Sequence, residues 1–239
     1  MKKTTDIQSY TGLIHFTNPK NIYSILQTGL TTDVNKIDQK ILTGFETRNI
    51  GNTQSMPLWF SRKGPESTFE NWDSLPWVYY MNQDDEHPTS IGSLCLLFNT
   101  STIPSVDFNL RRDYERKDCC SLKGYLLEHN DSIQPKNCGS EEFTVRSKQT
   151  EEGSYIHVTF PLPIGIVLSP YPSYDYKISK RIETEAIREE TIASLNSVQD
   201  DPNKKIPPLY NCYGETIWSK KDSKKPTLVS QALKEGIEI

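Results

Sequence analysis

Three short stretches of the chain combine residue types that do chemistry. The first, LIHFTNPKN, sets His15, Thr17 and Asn21 around what reads as a strand-to-helix junction. Such a junction offers free backbone N–H groups and the positive end of a helix dipole, which suits a phosphate or a carboxamide. The plainer reading of the same residues is that Asn18 caps the helix and His15 is a satisfied core histidine. The second stretch, MPLWFSRKGPES at 56–67, is an apolar run that delivers Arg62 and Lys63 to a Gly-Pro turn. Taken alone, the two cations read as a solvated surface turn. In the third, SEEFTVRS at 140–147, two glutamates open an alternating run. A carboxylate at a strand start can be aimed into a cleft, with the strand fixing its direction, or it can simply face water. Neighbours on a strand point to opposite faces, so Glu141 and Glu142 cannot both enter one cleft. Glu128-His129 reads as surface, beside a turn.

The elements that must hold these residues follow from periodicity and punctuation. Residues 12–16 read as a strand. Residues 19–27 read as a helix, with Pro19 in its first turn, Ile22, Ile25 and Leu26 at helical spacing and Gly29 as its C-cap. Residues 31–56 are polar and read as a long loop, with one weak helix at most; loops of that length in a compact domain are often functional. Strands are expected over 56–61, 93–98 and 164–168, with weaker ones over 105–110 and 124–128. The alternation of EFTVR and the β-branched and aromatic content of YIHVTF add strands at 142–146 and 155–160. Ile178, Ile182 and Ala186 recur in four-residue steps, which predicts one helix over 173–196. Trp72, Trp77, Tyr79 and Tyr80 suggest a partly buried aromatic wall, and short elements are expected at 216–219 and beyond 226. The pattern has few helices and no regular βαβ alternation, which gives an α+β domain.

Composition narrows the class. The 239 residues carry 27 Lys and Arg against 31 Asp and Glu, a net charge of -4, with 35% hydrophobic residues. The mean hydropathy is -0.61 and the pI about 5.7. A dedicated duplex-DNA binder has a basic balance, so any nucleic-acid contact here has to be local. Local basic clusters exist, Arg111, Arg112, Arg116 and Lys117 around Tyr114, and Lys220, Lys221, Lys224 and Lys225 after Trp218; each also reads as a solvated face. No apolar run reaches the length of a membrane span, and MKKTTDIQSY lacks the apolar region of a secretory signal, so a cytoplasmic protein without a membrane partner is expected. The five cysteines are odd in number, match no zinc spacing and read as reduced thiols, and no metal is expected.

Taken in order, the motifs resemble a known family. H-x-T at 15–17, Asn21 six residues after the histidine, and the I-L and G-L pairs that follow resemble the start of ADP-ribosyltransferases of the DarT group, bacterial toxins that modify nucleic-acid bases with NAD. The same order occurs in diphtheria-toxin-like and poly(ADP-ribose)-polymerase-like transferases and in RNA 2′-phosphotransferases. MPLWFSRKGP is similar to that group's apolar strand with its arginine-proline turn, and EEFTV to its catalytic strand; IGIVL lies where the pattern places a later strand. The resemblance is dispersed over roughly residues 13–168. The tract from residue 57 onward also looks like an uncharacterised bacterial family linked to phage defence. The segment 31–56 departs from the DarT pattern: it holds one arginine, Arg48, where that group has an arginine-rich stretch.

The resemblance implies an ADP-ribosyltransferase-like fold of two packed, mainly antiparallel sheets with a few flanking helices. It would be one domain over 1–239, with the NAD-binding and catalytic core at about 10–170 and a C-terminal helix and appendage at about 171–239. It implies NAD as a substrate and no metal. Glu142 would be the catalytic carboxylate, with Glu141 as the alternative. His15 would hold a ribose hydroxyl of the adenosine, Thr17 and Asn21 would line the nucleotide groove, and Arg48 or Arg62 would neutralise the pyrophosphate or orient the acceptor. Phe60 or Tyr79 would stack on nicotinamide, with core packing as the competing role of both. The acceptor implied is single-stranded DNA or RNA, in a toxin–antitoxin or anti-phage setting with an antitoxin protein as partner. A protein side chain as acceptor, a non-catalytic module and a 2′-phosphotransferase remain the alternatives.

Overall fold

The computed structural model describes residues 13–37, 55–62, 93–110, 121–128, 141–169, 172–175, 180–201 and 204–220, with the backbone alone at Ser61, Arg62, Leu110, Glu128, Glu141, Glu142, Ser173, Tyr174, Asp175 and Lys180. Arg48, Lys63, the aromatic residues between 72 and 80, the Arg111–Lys117 cluster, His129 and everything beyond 220 lie outside the described residues.

The first strand, β1 (Leu13–Thr17), runs into helix α1 (Pro19–Thr28), which is followed by the two-residue β2 (Leu30–Thr31) and a 3-10 turn at Val34–Lys36. Then come β3 (Leu58–Arg62), β4 (Leu94–Phe98), β5 (Asn109–Leu110), helix α2 (Leu122–Glu128) and β6 (Glu141–Val145). Short strands follow: β7 (Lys148–Gln149), β8 (Tyr155–Ile156), β9 (Thr159–Phe160), β10 (Gly165–Leu168), β11 (Ser173–Asp175) and β12 (Lys180–Ile182). Helix α3 (Thr184–Val198) and strands β13 (Leu209–Tyr210) and β14 (Thr216–Trp218) complete the order.

Eight strands join one sheet in the order β14-β13-β10-β4-β1-β3-β6-β5. Every pairing in it is antiparallel except β10 with β13. Among the described residues the remaining strands form three two-stranded ribbons, β2 with β9, β7 with β8, and β11 with β12. The class is thus α+β and mainly antiparallel, as the sequence predicts, with one large sheet and small ribbons where two packed sheets are expected.

The sheet is covered on both faces, which is why its middle strands read as unbroken apolar runs. Leu94, Leu96 and Phe98 of β4 pack on one face with Leu13, Leu58, Phe60, Phe143 and Ile166, under Ile22 and Leu26 of α1 and Ile187 and Leu195 of α3. Cys95 and Leu97 face the other way, with Ile14, Val167 and Cys212. Helix α1 follows its sequence signals: Pro19 sits in the first turn, and Ile22, Ile25 and Leu26 are buried. Gly29 ends it with φ 81 and ψ 172, a conformation essentially reserved for glycine, and its N–H donates to the Ile25 carbonyl.

Several expected elements differ. Residues 122–128 are helical where a strand is expected over 124–128; Leu122, Tyr125 and Leu126 are buried together, which is helical spacing. The expected strand over 155–160 divides into β8 and β9, which pair with different partners. The single helix over 173–196 is replaced by a hairpin, β11 with β12, and then by α3. In α3 the buried stripe is Ile187, Thr191, Leu195 and Val198, and Ala186 is exposed. Strand β13, where no element is expected, forms by pairing parallel to β10.

Candidate active site

The three motifs that are 40 to 130 residues apart in the chain share one region of the sheet, because β1, β3 and β6 are consecutive strands. Strand β3 pairs with β6 over its whole length, from Leu58 opposite Val145 to Arg62 opposite Glu141. Its pairing with β1 is far sparser, a single register position at Ile14 and Ser61. Beside that position the His15 ring takes up the link: Nδ1 lies 2.7 Å from the Trp59 carbonyl oxygen.

That contact fixes the state of the imidazole. A carbonyl only accepts, so Nδ1 carries the proton and donates it. Burial holds the ring's pKa down at about 4, opposed by the hydrogen bond to Trp59. His15 is therefore neutral at pH 7, with a lone pair on Nε2, and among the described residues no hydrogen-bond donor meets that atom. The ring is backed by Phe60, with centroids 5.5 Å apart. Phe60 in turn packs on Phe160 at 4.5 Å and Phe98 at 5.9 Å. The result is a fixed hydrogen-bond acceptor on an aromatic support, suited to a hydroxyl donor.

Thr17 and Asn21 engage each other. Thr17 is buried, and the Asn21 side-chain amide donates to its hydroxyl oxygen at 3.0 Å across the strand-to-helix junction. Asn18 stands at the N-cap in an extended conformation, and its side chain makes no cap hydrogen bond. The Asn21 amide bond to Thr17 thus fixes the start of α1 to the end of β1. Phe60 is 2% exposed, so its ring offers no face to a stacked ligand, and its place is beneath His15. Arg48 and Tyr79 lie outside the described residues.

The backbone register separates the two glutamates. Glu141 stands opposite Arg62, and Glu142 opposite Ser61. Glu141 is in phase with Phe143 and Val145, which belong to the same core face as Leu13 and Phe60. His15 follows that phase, two residues after Leu13 and against Phe60. Glu142 is in phase with Thr144, opposite Trp59 on β3. Strand alternation therefore assigns Glu141, rather than Glu142, to the sheet face of His15.

A second polar cluster has no counterpart in the sequence motifs. His157 Nδ1 lies 2.9 Å from the Ser147 hydroxyl, which also meets the hydroxyls of Thr32 and Ser55, each at 2.8 Å. Its four members, Thr32, Ser55, Ser147 and His157, are scattered along the chain, so no spacing announces them. Lys220, read above as part of a basic patch, donates to the carbonyls of Asp201 at 2.8 Å and Lys204 at 3.2 Å and ties the chain beyond β14 to the end of α3. Among the described residues no group of three or more His, Cys, Asp or Glu converges as a metal site, and no helix is long and apolar enough to cross a membrane. Comparison of the chain with protein-family models, with curated proteins and with solved structures gives no match.

Proposed function

We propose that the protein is an NAD-dependent mono-ADP-ribosyltransferase, acting on a base of single-stranded DNA or RNA as the toxin of a bacterial toxin–antitoxin or anti-phage system. The observation that carries this reading is the adjacency of β1, β3 and β6, the three strands bearing the H-x-T, Arg62 and Glu-Glu motifs. The neutral His15 supports it: its Nε2 lone pair accepts from a ribose hydroxyl, which a charged imidazolium, a donor at both nitrogens, could not do. Two strand spacings and two residues of rise put the backbone of Glu141 roughly 12 Å from that of His15, a span that a pyrophosphate-linked pair of nucleosides covers.

In this reading the bond between nicotinamide and ribose C1′ breaks with its electron pair passing to the nicotinamide nitrogen. The positive charge that grows on the ribose is stabilised by a strand-start carboxylate, as in glycoside chemistry. The acceptor atom then bonds to C1′ and releases a proton. Glu141 is the favoured carboxylate by phase and Glu142 the alternative; Arg62, opposite Glu141, or Arg48 would neutralise phosphate. A protein side chain as acceptor is tested alongside.

The test incubates the full chain with NAD labelled in its adenosine half and with separate pools of oligonucleotide DNA, RNA and cell protein. Label is expected in a nucleic-acid pool, falling at least 100-fold with Glu141→Gln and at least 10-fold with His15→Ala. Transfer to protein alone moves the acceptor class, and no transfer to any pool by folded protein overturns the reading. Full activity of Glu141→Gln with loss in Glu142→Gln assigns chemistry to the other sheet face.

A further inference from the structure

The cluster around Ser147 can be resolved proton by proton. Thr32 is fully buried and Ser55 nearly so. The Ser55 hydroxyl donates to Ser147 Oγ, and Ser55 Oγ accepts from the Ser147 N–H at 3.2 Å. Thr32 Oγ1 accepts from the Val158 N–H at 2.9 Å, so its own proton goes either to Ser147 Oγ at 2.8 Å or to the Val158 carbonyl at 3.4 Å. That carbonyl already accepts from the Thr32 N–H at 2.9 Å and the Thr31 hydroxyl at 3.2 Å, which fills its two lone pairs. The short route wins, and Thr32 donates to Ser147. With both lone pairs of Ser147 Oγ occupied by Ser55 and Thr32, its own proton points to Nδ1 of His157, 2.9 Å away. His157 must then be the Nε2–H tautomer, with that N–H aimed towards Asp33 Oδ1 at 3.8 Å. The same saturation places Ser147 to pass a proton rather than to attack as a nucleophile.

We propose that this junction is a protonation switch, in which the charge state of His157 sets the direction of the chain His157–Ser147–Thr32–Val158. Imidazole is the side chain that changes charge within the physiological pH range. When His157 gains a proton, Nδ1 becomes a donor and Ser147 can no longer give it one. Ser147 must turn its proton to Thr32, and Thr32 must turn its own to the Val158 carbonyl as a third donor over 3.4 Å. No proton leaves the chain; one enters at Nδ1 and two hydroxyls rotate. The strain falls on the pairing of the segment 31–34 with 157–159, where Val158 and Thr32 hold each other, and on Met56, whose N–H donates to the Thr32 carbonyl.

The charged and titratable surroundings are few. Among the described residues the groups that meet His157 are Asp33, which also accepts from the Asn35 N–H at 3.0 Å, and Tyr155, with ring centroids 6.2 Å apart. Lys36 on the 3-10 turn is exposed, as are Arg146 and Lys148 either side of Ser147, and Lys148 lies 4.0 Å from Asp107. The switch stands independently of ADP-ribosyl transfer.

Nitrogen-15 NMR of the full chain from pH 8 to pH 5 tests it. The neutral ring of His157 is expected to carry its proton on Nε2, and the amide signals of Val158 and Met56 are expected to shift with the His157 midpoint. In His157→Gln and in the isosteric Thr32→Val those amide shifts are expected to vanish. A neutral ring protonated on Nδ1 overturns the proposal in wild-type protein alone. So does a Val158 amide that stays flat in wild type or titrates unchanged in His157→Gln.

Discussion

His15 couples a hydrogen bond to a charge state, and that coupling has a thermodynamic sign. In the folded chain its pKa is held at about 4, against an ordinary value of 6.5. The folded pKa lies below the unfolded one, so between those values the unfolded chain takes a proton that the folded chain refuses. The stabilisation is complete above pH 6.5 and is lost as pH falls towards 4. Its size is on the order of 2 kcal/mol, after discounting for the partial exposure of the ring. His15→Asn can still donate an amide N–H to the Trp59 carbonyl but does not titrate. Urea unfolding at pH 7 and pH 4.5 is expected to show a smaller acid loss in that variant than in wild type, by about that amount. An equal acid loss in both would mean that the ring is protonated in the fold and that its bond to Trp59 runs some other way.

At the scale of the elements, α1 is held at both ends by features of different kinds. Its start depends on the Asn21 amide reaching Thr17, and its end on Gly29. A Cβ added at Gly29 would lie 2.5 Å from the Phe160 carbonyl oxygen and 2.9 Å from Thr159 Cγ2, on a backbone with φ 81. Backbone cannot step aside as a side-chain tip can, so Gly29→Ala must push β2 away from β9, where Leu30 pairs with Phe160. A loss of about 2 kcal/mol or more is expected, read as a lower denaturant midpoint with an unchanged slope. An unchanged midpoint would show that the junction has slack. The sequence makes β1, α1, β3 and β4 legible because each carries its own period and its own punctuation. Residues 122–128 fail the same test: the run YLLE is too short to tell a helix from a buried strand, and its burial is set by Phe108 and Phe143 from elsewhere. The helix expected over 173–196 begins too early because Ile178, Ile182 and Ala186 imitate a helical stripe, while the real one starts at Ile187. Strand β13 joins the sheet by pairing with β10, a partner over forty residues away, and the Ser147–His157 junction is illegible for the same reason.

At the scale of the molecule, residues from Leu13 to Trp218 contribute to one main core cluster. Phe143 on β6 and Leu195 on α3 both belong to it, and β14 is tied to α3 by the Trp218 indole N–H donating to Asn196 at 3.0 Å. Among the described residues, α3 and β14 therefore share the core of the sheet that carries the candidate site. A shared core of this kind unfolds as one unit, because opening either end exposes the other's apolar surface. Leu195→Ala and Phe143→Ala are each expected to lower stability by about 2–5 kcal/mol. Both are expected to shift the same single transition, with near- and far-ultraviolet circular dichroism coincident in each variant. Two separated transitions in Leu195→Ala, the later one unshifted from wild type, would mean that α3 and the strands after it form a separate cooperative unit. The site on β1, β3 and β6 would then have to be sought within the remaining sheet alone.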